Sequence, residues 1–229
     1  MIDLDLLVAP EALPRAVAAL EAAGYRGEDE AFLPRTDYHF PALIPPGPGL
    51  AVELHSRPGW RRGGPLAGLA ARAVPSAVPG LAIPAPEDRL AHLALHAQVA
   101  DRGWRRRRLR LRDALDWRAL VAEGAEPEAV ERRCARSGLG REFRAFAAAM
   151  ARIWGEGARV PAAWADAEAD WAYRALAGLA DPDLAARGDR ADAPWRLYDA
   201  LTTPETLAHG VAGLFNAARR RRFLRHLSP

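Results

Sequence analysis

The sequence predicts an α+β protein: a small mixed β-sheet at the N-terminus, followed by a part that is helical to the end. Three observations predict it. Ile2 to Val8 and Leu50 to His55 alternate apolar and polar residues with the period-two rhythm of strands. Pro45-Pro46-Gly47-Pro48-Gly49, just ahead of the second run, is turn chemistry. From Glu87 onward the apolar residues recur at helical spacing. The expected division is an α/β part over 1–86 and a helical part over 87–229.

In the first strand Ile2, Leu4, Leu6 and Val8 share one face, and Asp3 and Asp5 project from the other. Pro10 to Ala23 reads as a helix with Leu13, Val17 and Leu20 as its apolar stripe, stopped by Gly24. Residues 26 to 37 are charged and read as a loop. Tyr38 to Ile44 and Leu50 to His55 form a hairpin about the prolyl link, laying the second run in the same sheet as the first. The segment from Arg57 to Pro86 holds a short helical stretch, Leu66 to Ala73, and prolines at 75, 79, 84 and 86. It delivers the chain to the helices. Helices are then expected over 88–100, 127–137, 140–154, 164–180, 194–201 and 204–226, with one opened by the arginine run 105–112. Trp154, Trp164, Trp171 and Trp195 read as core or interhelix anchors.

A chain of 229 residues, half of them hydrophobic and 27% charged, can bury a full core. All basic side chains are arginine, and the net charge is only +3, weak support for a nucleic-acid partner. A basic cluster, Arg219 to Arg222, complements a helix C-terminus or contacts RNA. Cys134, the only cysteine, excludes an internal disulfide and a multi-thiolate zinc site, and fits a reducing cytoplasm. No apolar run reaches the ~20 residues a membrane span needs.

Two carboxylates on one strand face repel each other, and a cation is the usual remedy. Asp3-x-Asp5 can grip a magnesium ion or a pair of them, though a solvated acidic face has the same pattern. Glu53, from the second run, supplies a third carboxylate on a neighbouring strand. Three such ligands can hold two magnesium ions for in-line phosphoryl or nucleotidyl displacement. His92 and His96 stand one helical turn apart, a spacing open to zinc but more simply a packed pair.

Asp3-Leu4-Asp5-Leu6-Leu7-Val8, a helix ending in Gly24-Tyr25, and Val52-Glu53-Leu54-His55 resemble the uncharacterised nucleotidyltransferase family of the polymerase-β-like superfamily. Pro86-Glu87-Asp88 through His96, and Leu109 to Asp116, resemble that family's helical part. The resemblance implies transfer of a nucleoside monophosphate from a nucleoside triphosphate to an unidentified acceptor. In that reaction Asp3, Asp5 and Glu53 hold two magnesium ions and Glu53 takes the acceptor's proton. His55, Arg57, His96, Arg108 and Arg110 are candidate nucleotide or substrate contacts, one of the last two facing the phosphates with Asp116 orienting it. Family members carry a Gly-Gly or Gly-Ser phosphate-binding turn ahead of the Asp-x-Asp strand, and none precedes it here. Two expectations follow: a start farther upstream, or a degenerate module that binds without transferring.

Overall fold

A computed structural model describes residues 3–27, 40–58, 64–181, 183, 186 and 187. The helices expected over 194–201 and 204–226, Trp195 and the Arg219–Arg222 cluster lie outside the described residues. The chain divides into two compact units, Met1–Gly63 and Gly64–Pro229. That cut follows compactness, and it groups residues 64–86 with the helices. The α+β architecture, with a small mixed sheet first and helices after it, is the one the sequence predicts.

In the first unit, alternating residues build strand β1 (Asp3–Leu7). A 3-10 turn over Pro10–Ala12 leads into helix α1 (Leu13–Ala22). Strand β2 (Arg26–Gly27) falls where a loop is expected, because its backbone pairs antiparallel with β3 (Leu43–Ile44). Of the described residues 40–44, Leu43 and Ile44 form that strand. Strand β4 (Ala51–His55) follows the prolyl link, antiparallel to β3 and parallel to β1, giving the order β1-β4-β3-β2. Leu43, Val52 and Leu54 are buried, and Leu13, Val17 and Leu20 of α1 pack on them together with Leu6 and Val8. The apolar stripe of the helix thus covers one face of the sheet. Burying these side chains removes apolar surface from water at about 25 cal/mol per Å2. Gly24 ends α1 with φ of +90°, a conformation that disfavours any side chain.

The second unit opens with α2 (Leu69–Arg72), shorter than the helical stretch Leu66 to Ala73 read from the sequence, and with a ribbon the sequence reading lacks, β5 (Val74–Pro75) paired with β6 (Ala82–Ile83). Helix α3 (Pro86–Leu95) begins on proline with Glu87 and Asp88 in its first turn, both favourable at a helix N-terminus. It does not run on as an α-helix to Ala100. Residues His96–Ala100 form a π turn, in which the Asp101 N–H donates to the His96 carbonyl. The chain then folds back so closely that a Cβ on Gly103 would lie 2.4 Å from the Ala97 carbonyl oxygen. The arginine run is divided accordingly: part lies in α4 (Gly103–Arg106), Arg107 adopts a left-handed turn, and α5 (Leu111–Ala122) starts beyond it.

Helices α6 (Pro127–Arg136) and α7 (Gly140–Trp154) follow their expected bounds closely. The helix expected over 164–180 is two, α8 (Ala162–Ala167) and α9 (Ala169–Ala180), broken at buried Glu168. Helix α7 is the centre of this unit, in contact with α3, α5, α6, α8 and α9. Its residues Phe143 and Ala145–Met150 are fully buried, and the run of alanines lets neighbouring helices approach. Trp117 of α5 packs its ring against Phe143 and Phe146, at centroid distances of 5.8 and 5.7 Å, and its indole N–H donates to the Ala158 carbonyl. Trp154 and Trp171 are anchors as expected, each donating its N–H to a carbonyl of another element, Ala114 and Trp104. Leu111 and Leu115, by contrast, are more than 60% exposed. No helix of the described residues is long and apolar enough to cross a membrane.

One carboxylate ties three helices of this unit together. Asp88 is wholly buried, and it accepts from Arg72 of α2 through Nε at 2.9 Å and Nη2 at 2.6 Å, and from Arg133 of α6 through Nη1 at 2.7 Å. Burial alone would push its pKa up; the hydrogen bonds from the two guanidiniums outweigh that and hold it below the usual carboxylate value. A carboxyl depressed in the fold adds stability above its unfolded pKa, and that stability drains away as pH falls through the folded value. The melting temperature is therefore expected to drop below about pH 4, the unfolded aspartate range. Asp88→Asn, which orphans two guanidiniums, is expected to cost about 3–5 kcal/mol at neutral pH and to flatten that acid limb in a pH-dependent melt. Trp117→Ala is expected to cost about 3–5 kcal/mol in denaturant titration, since its neighbours cannot close the void.

Candidate metal centre

The parallel register of β1 and β4 pairs Asp3 with Ala51, Asp5 with Glu53 and Leu7 with His55. Paired residues of a parallel ladder project to the same face. Because Val52 and Leu54 must face the core under α1, Glu53 and His55 are turned the other way, beside Asp5. The hydrophobic pattern thus positions the polar groups.

His55 Nε2 lies 2.8 Å from Asp5 Oδ1 and 3.6 Å from Glu53 Oε2. A carboxylate only accepts, so in the Asp5 contact the imidazole N–H donates. One ligand atom each from Asp5, Glu53 and His55 falls within 4.8 Å of the other two, the separation at which three donors can share one ion. Oxygen donors suit magnesium and manganese, and an imidazole nitrogen adds affinity for the later first-row metals. The side chains of Glu53 and His55 are 25% and 21% exposed and that of Asp5 62%, so packing holds two ligands while the third stands open to solvent. An ion can enter from that side.

The structure places the sequence-derived residues unequally. Asp5 and Glu53 meet as expected. Asp3 shares their face, opposite Ala51, but is exposed and stands outside the three-ligand group. His55, read from the sequence as a substrate contact, stands with Asp5 and Glu53 in the group that could hold a metal ion. The signal was available: Glu53-x-His55 repeats on β4 the spacing of Asp3-x-Asp5 on β1. Arg57 follows β4 two residues past His55 and is half-buried.

His96, Arg108 and Arg110 belong to the helical unit. His96 Nδ1 lies 3.3 Å from Asp101 Oδ2, and that same oxygen accepts from Arg110 Nη1 at 2.9 Å. Arg110 Nε is 3.0 and 3.2 Å from the two oxygens of buried Asp113. Burial works against the Arg110 charge, but Asp113 first and then Asp101 overcome it and raise its pKa. The carboxylates that orient Arg110 are therefore Asp113 and Asp101, whereas exposed Asp116 is only a more distant charge. Arg108 is exposed between α4 and α5. The rings of His92 and His96 are 5.8 Å apart, and among the described residues neither enters a metal-ligand group. Cys134 is buried, which pushes its thiol up to about 12 and leaves it un-ionised at neutral pH.

The family model described as uncharacterised nucleotidyltransferase matches residues 1–155, the sheet and the helices through α7. No curated protein and no solved structure matches the chain.

Three ligands converging on one point predict a graded response to their removal. Asp5→Asn, Glu53→Gln and His55→Ala are each expected to weaken manganese binding by roughly tenfold or more, the scale on which a disturbed metal shell is felt. Asp3→Asn is expected to weaken it less. Paramagnetic resonance of free manganese, titrated with each variant, measures this.

Proposed function

Because the chain belongs to the uncharacterised nucleotidyltransferase family, we propose that its N-terminal sheet carries out metal-dependent transfer of a nucleoside monophosphate from a nucleoside triphosphate to a hydroxyl or similar acceptor. The observation that carries the proposal is the meeting of Asp5, Glu53 and His55 on the exposed face of paired strands. The donor set suits a divalent cation: two hard carboxylates and one imidazole, open on one side.

In this reading the acceptor oxygen bonds to the α-phosphorus as the bond to pyrophosphate breaks. Divalent cations bound at the carboxylates supply charge neutralisation for the phosphate oxygens. Asp5 and Glu53 would hold a first magnesium ion with His55, and Asp3 and Asp5, on one strand face, would offer oxygens to a second. Glu53, shielded on most sides, takes the proton from the acceptor. Arg57, just beyond β4, neutralises charge developing on the departing pyrophosphate. Within the helical unit, Arg110 is held by Asp101 and Asp113.

The test supplies magnesium and each nucleoside triphosphate, labelled in the α-phosphate, with a cell extract as the source of acceptors. Wild type is expected to release pyrophosphate and to label an acceptor, with chelation of the metal abolishing both. Asp5→Asn is expected to cost roughly 100- to 1,000-fold in rate, the scale for removing one electrostatic stabiliser of a transition state. Equal rates in wild type and Asp5→Asn would remove this site from the reaction. Magnesium-nucleotide binding that depends on Asp5 but yields no product would identify the binding module instead.

A further inference from the structure

The helical unit holds a cleft of about 350 Å3 between α2, the start of α3 and α6. Its charged lining is Arg72, Arg132, Arg133 and Arg136 against Glu87 and Asp88, a formal surplus of two positive charges. The arrangement is built from the sequence of α6. Ala129, Arg132, Arg133 and Arg136 fall at i, i+3, i+4 and i+7, so they share one helix face, and the alanine leaves room beneath the three long side chains.

Asp88 fixes two of the four. It holds Arg72 by two hydrogen bonds and Arg133 by one, so a single carboxylate serves two guanidiniums and cannot neutralise both. The Nε and Nη2 groups of Arg133 are buried and find no acceptor among the described residues. Buried donors of that kind call for an oxygen partner. Arg132 makes only a 3.9 Å pair with Glu128, both side chains mostly exposed, a contact worth little. Arg136 has no ion pair among the described residues, and it is exposed at the rim. Arg72 spends its nitrogens on Asp88 and the Ala67 carbonyl, so the cleft offers the two exposed guanidiniums of Arg132 and Arg136 beside it, excess positive charge and space at the lower end of small-ligand sites.

The geometry points to a phosphate-type oxyanion site in this cleft, separate from the carboxylates of the N-terminal sheet and not dependent on their role. Guanidinium forks match the spacing of phosphoryl oxygens, and two negative charges complete the balance that Asp88 and Glu87 leave open. The ligand class is a free phosphate or pyrophosphate, or the terminal phosphoryl group of a small molecule.

Calorimetric titration of the full chain with inorganic phosphate and, separately, pyrophosphate tests it. Chelator and the Asp5→Asn substitution are present throughout, so that the metal centre contributes nothing. Binding is expected at physiological ionic strength, with Arg136→Gln and Arg132→Gln each weakening it about tenfold and Arg152→Gln, an exposed charge on α7, leaving it unchanged. Preference for pyrophosphate over phosphate would mark a polyphosphate ligand, and the reverse a monophosphoryl one. Both exposed arginines can be replaced without touching Asp88, and the near-ultraviolet dichroism of each variant checks that the fold is intact. No binding by the parent protein, or equal weakening by Arg136→Gln and Arg152→Gln, would overturn the site.

Discussion

The parallel pairing of β1 with β4 in one register is the constraint on which the functional face depends. The register sets Asp5 against Glu53, and burial of Val52 and Leu54 fixes which way β4 faces. A slip of one residue would turn Glu53 and His55 into the apolar layer and Val52 and Leu54 out of it. The slip would therefore lose hydrophobic burial and bury charge together. Helix α1 covers the other face with Leu13, Val17 and Leu20, leaving the face of Asp5, Glu53 and His55 uncovered by it.

The two units handle charge in opposite ways. On the sheet, acidic groups stand at a partly exposed face, and their mutual repulsion invites a cation. In the helical unit a carboxylate is buried outright, and the guanidiniums of Arg72 and Arg133 are drawn in to satisfy it. A buried carboxylate without such partners would carry a large desolvation cost. Asp88 holds α2, α3 and α6 in one arrangement, and the chain meets that requirement with more cations than one acid can balance.

Much of this was legible in the sequence. The period-two runs identified β1 and β4, the apolar stripe identified α1, and helical periodicity located α6 and α7 nearly to the residue. Asp5 and Glu53 could be named because alternation alone decides which residues share a face. What stayed hidden depended on distant partners. Strand β2 exists only because β3 is there to receive its hydrogen bonds. The π turn at His96–Ala100 and the left-handed Arg107 answer to the close return of the chain at Gly103, which no local pattern announces. Asp113, rather than Asp116, holds Arg110, because Asp113 is the residue that faces inward three positions into α5. The 2.8 Å approach of His55 to Asp5 likewise depends on a strand fifty residues away.

At Gly24 a Cβ would stand 3.2 Å from the Cγ of Pro46, in a backbone already at positive φ. The corner that ends α1 and the prolyl link that begins β4 are therefore in mutual contact, twenty-two positions apart in the chain. Bulk added at either corner presses on the other, and the link is what delivers Ala51 to its place opposite Asp3. The phase of the acidic ladder is consequently sensitive to a small, chemically silent residue at the end of a helix.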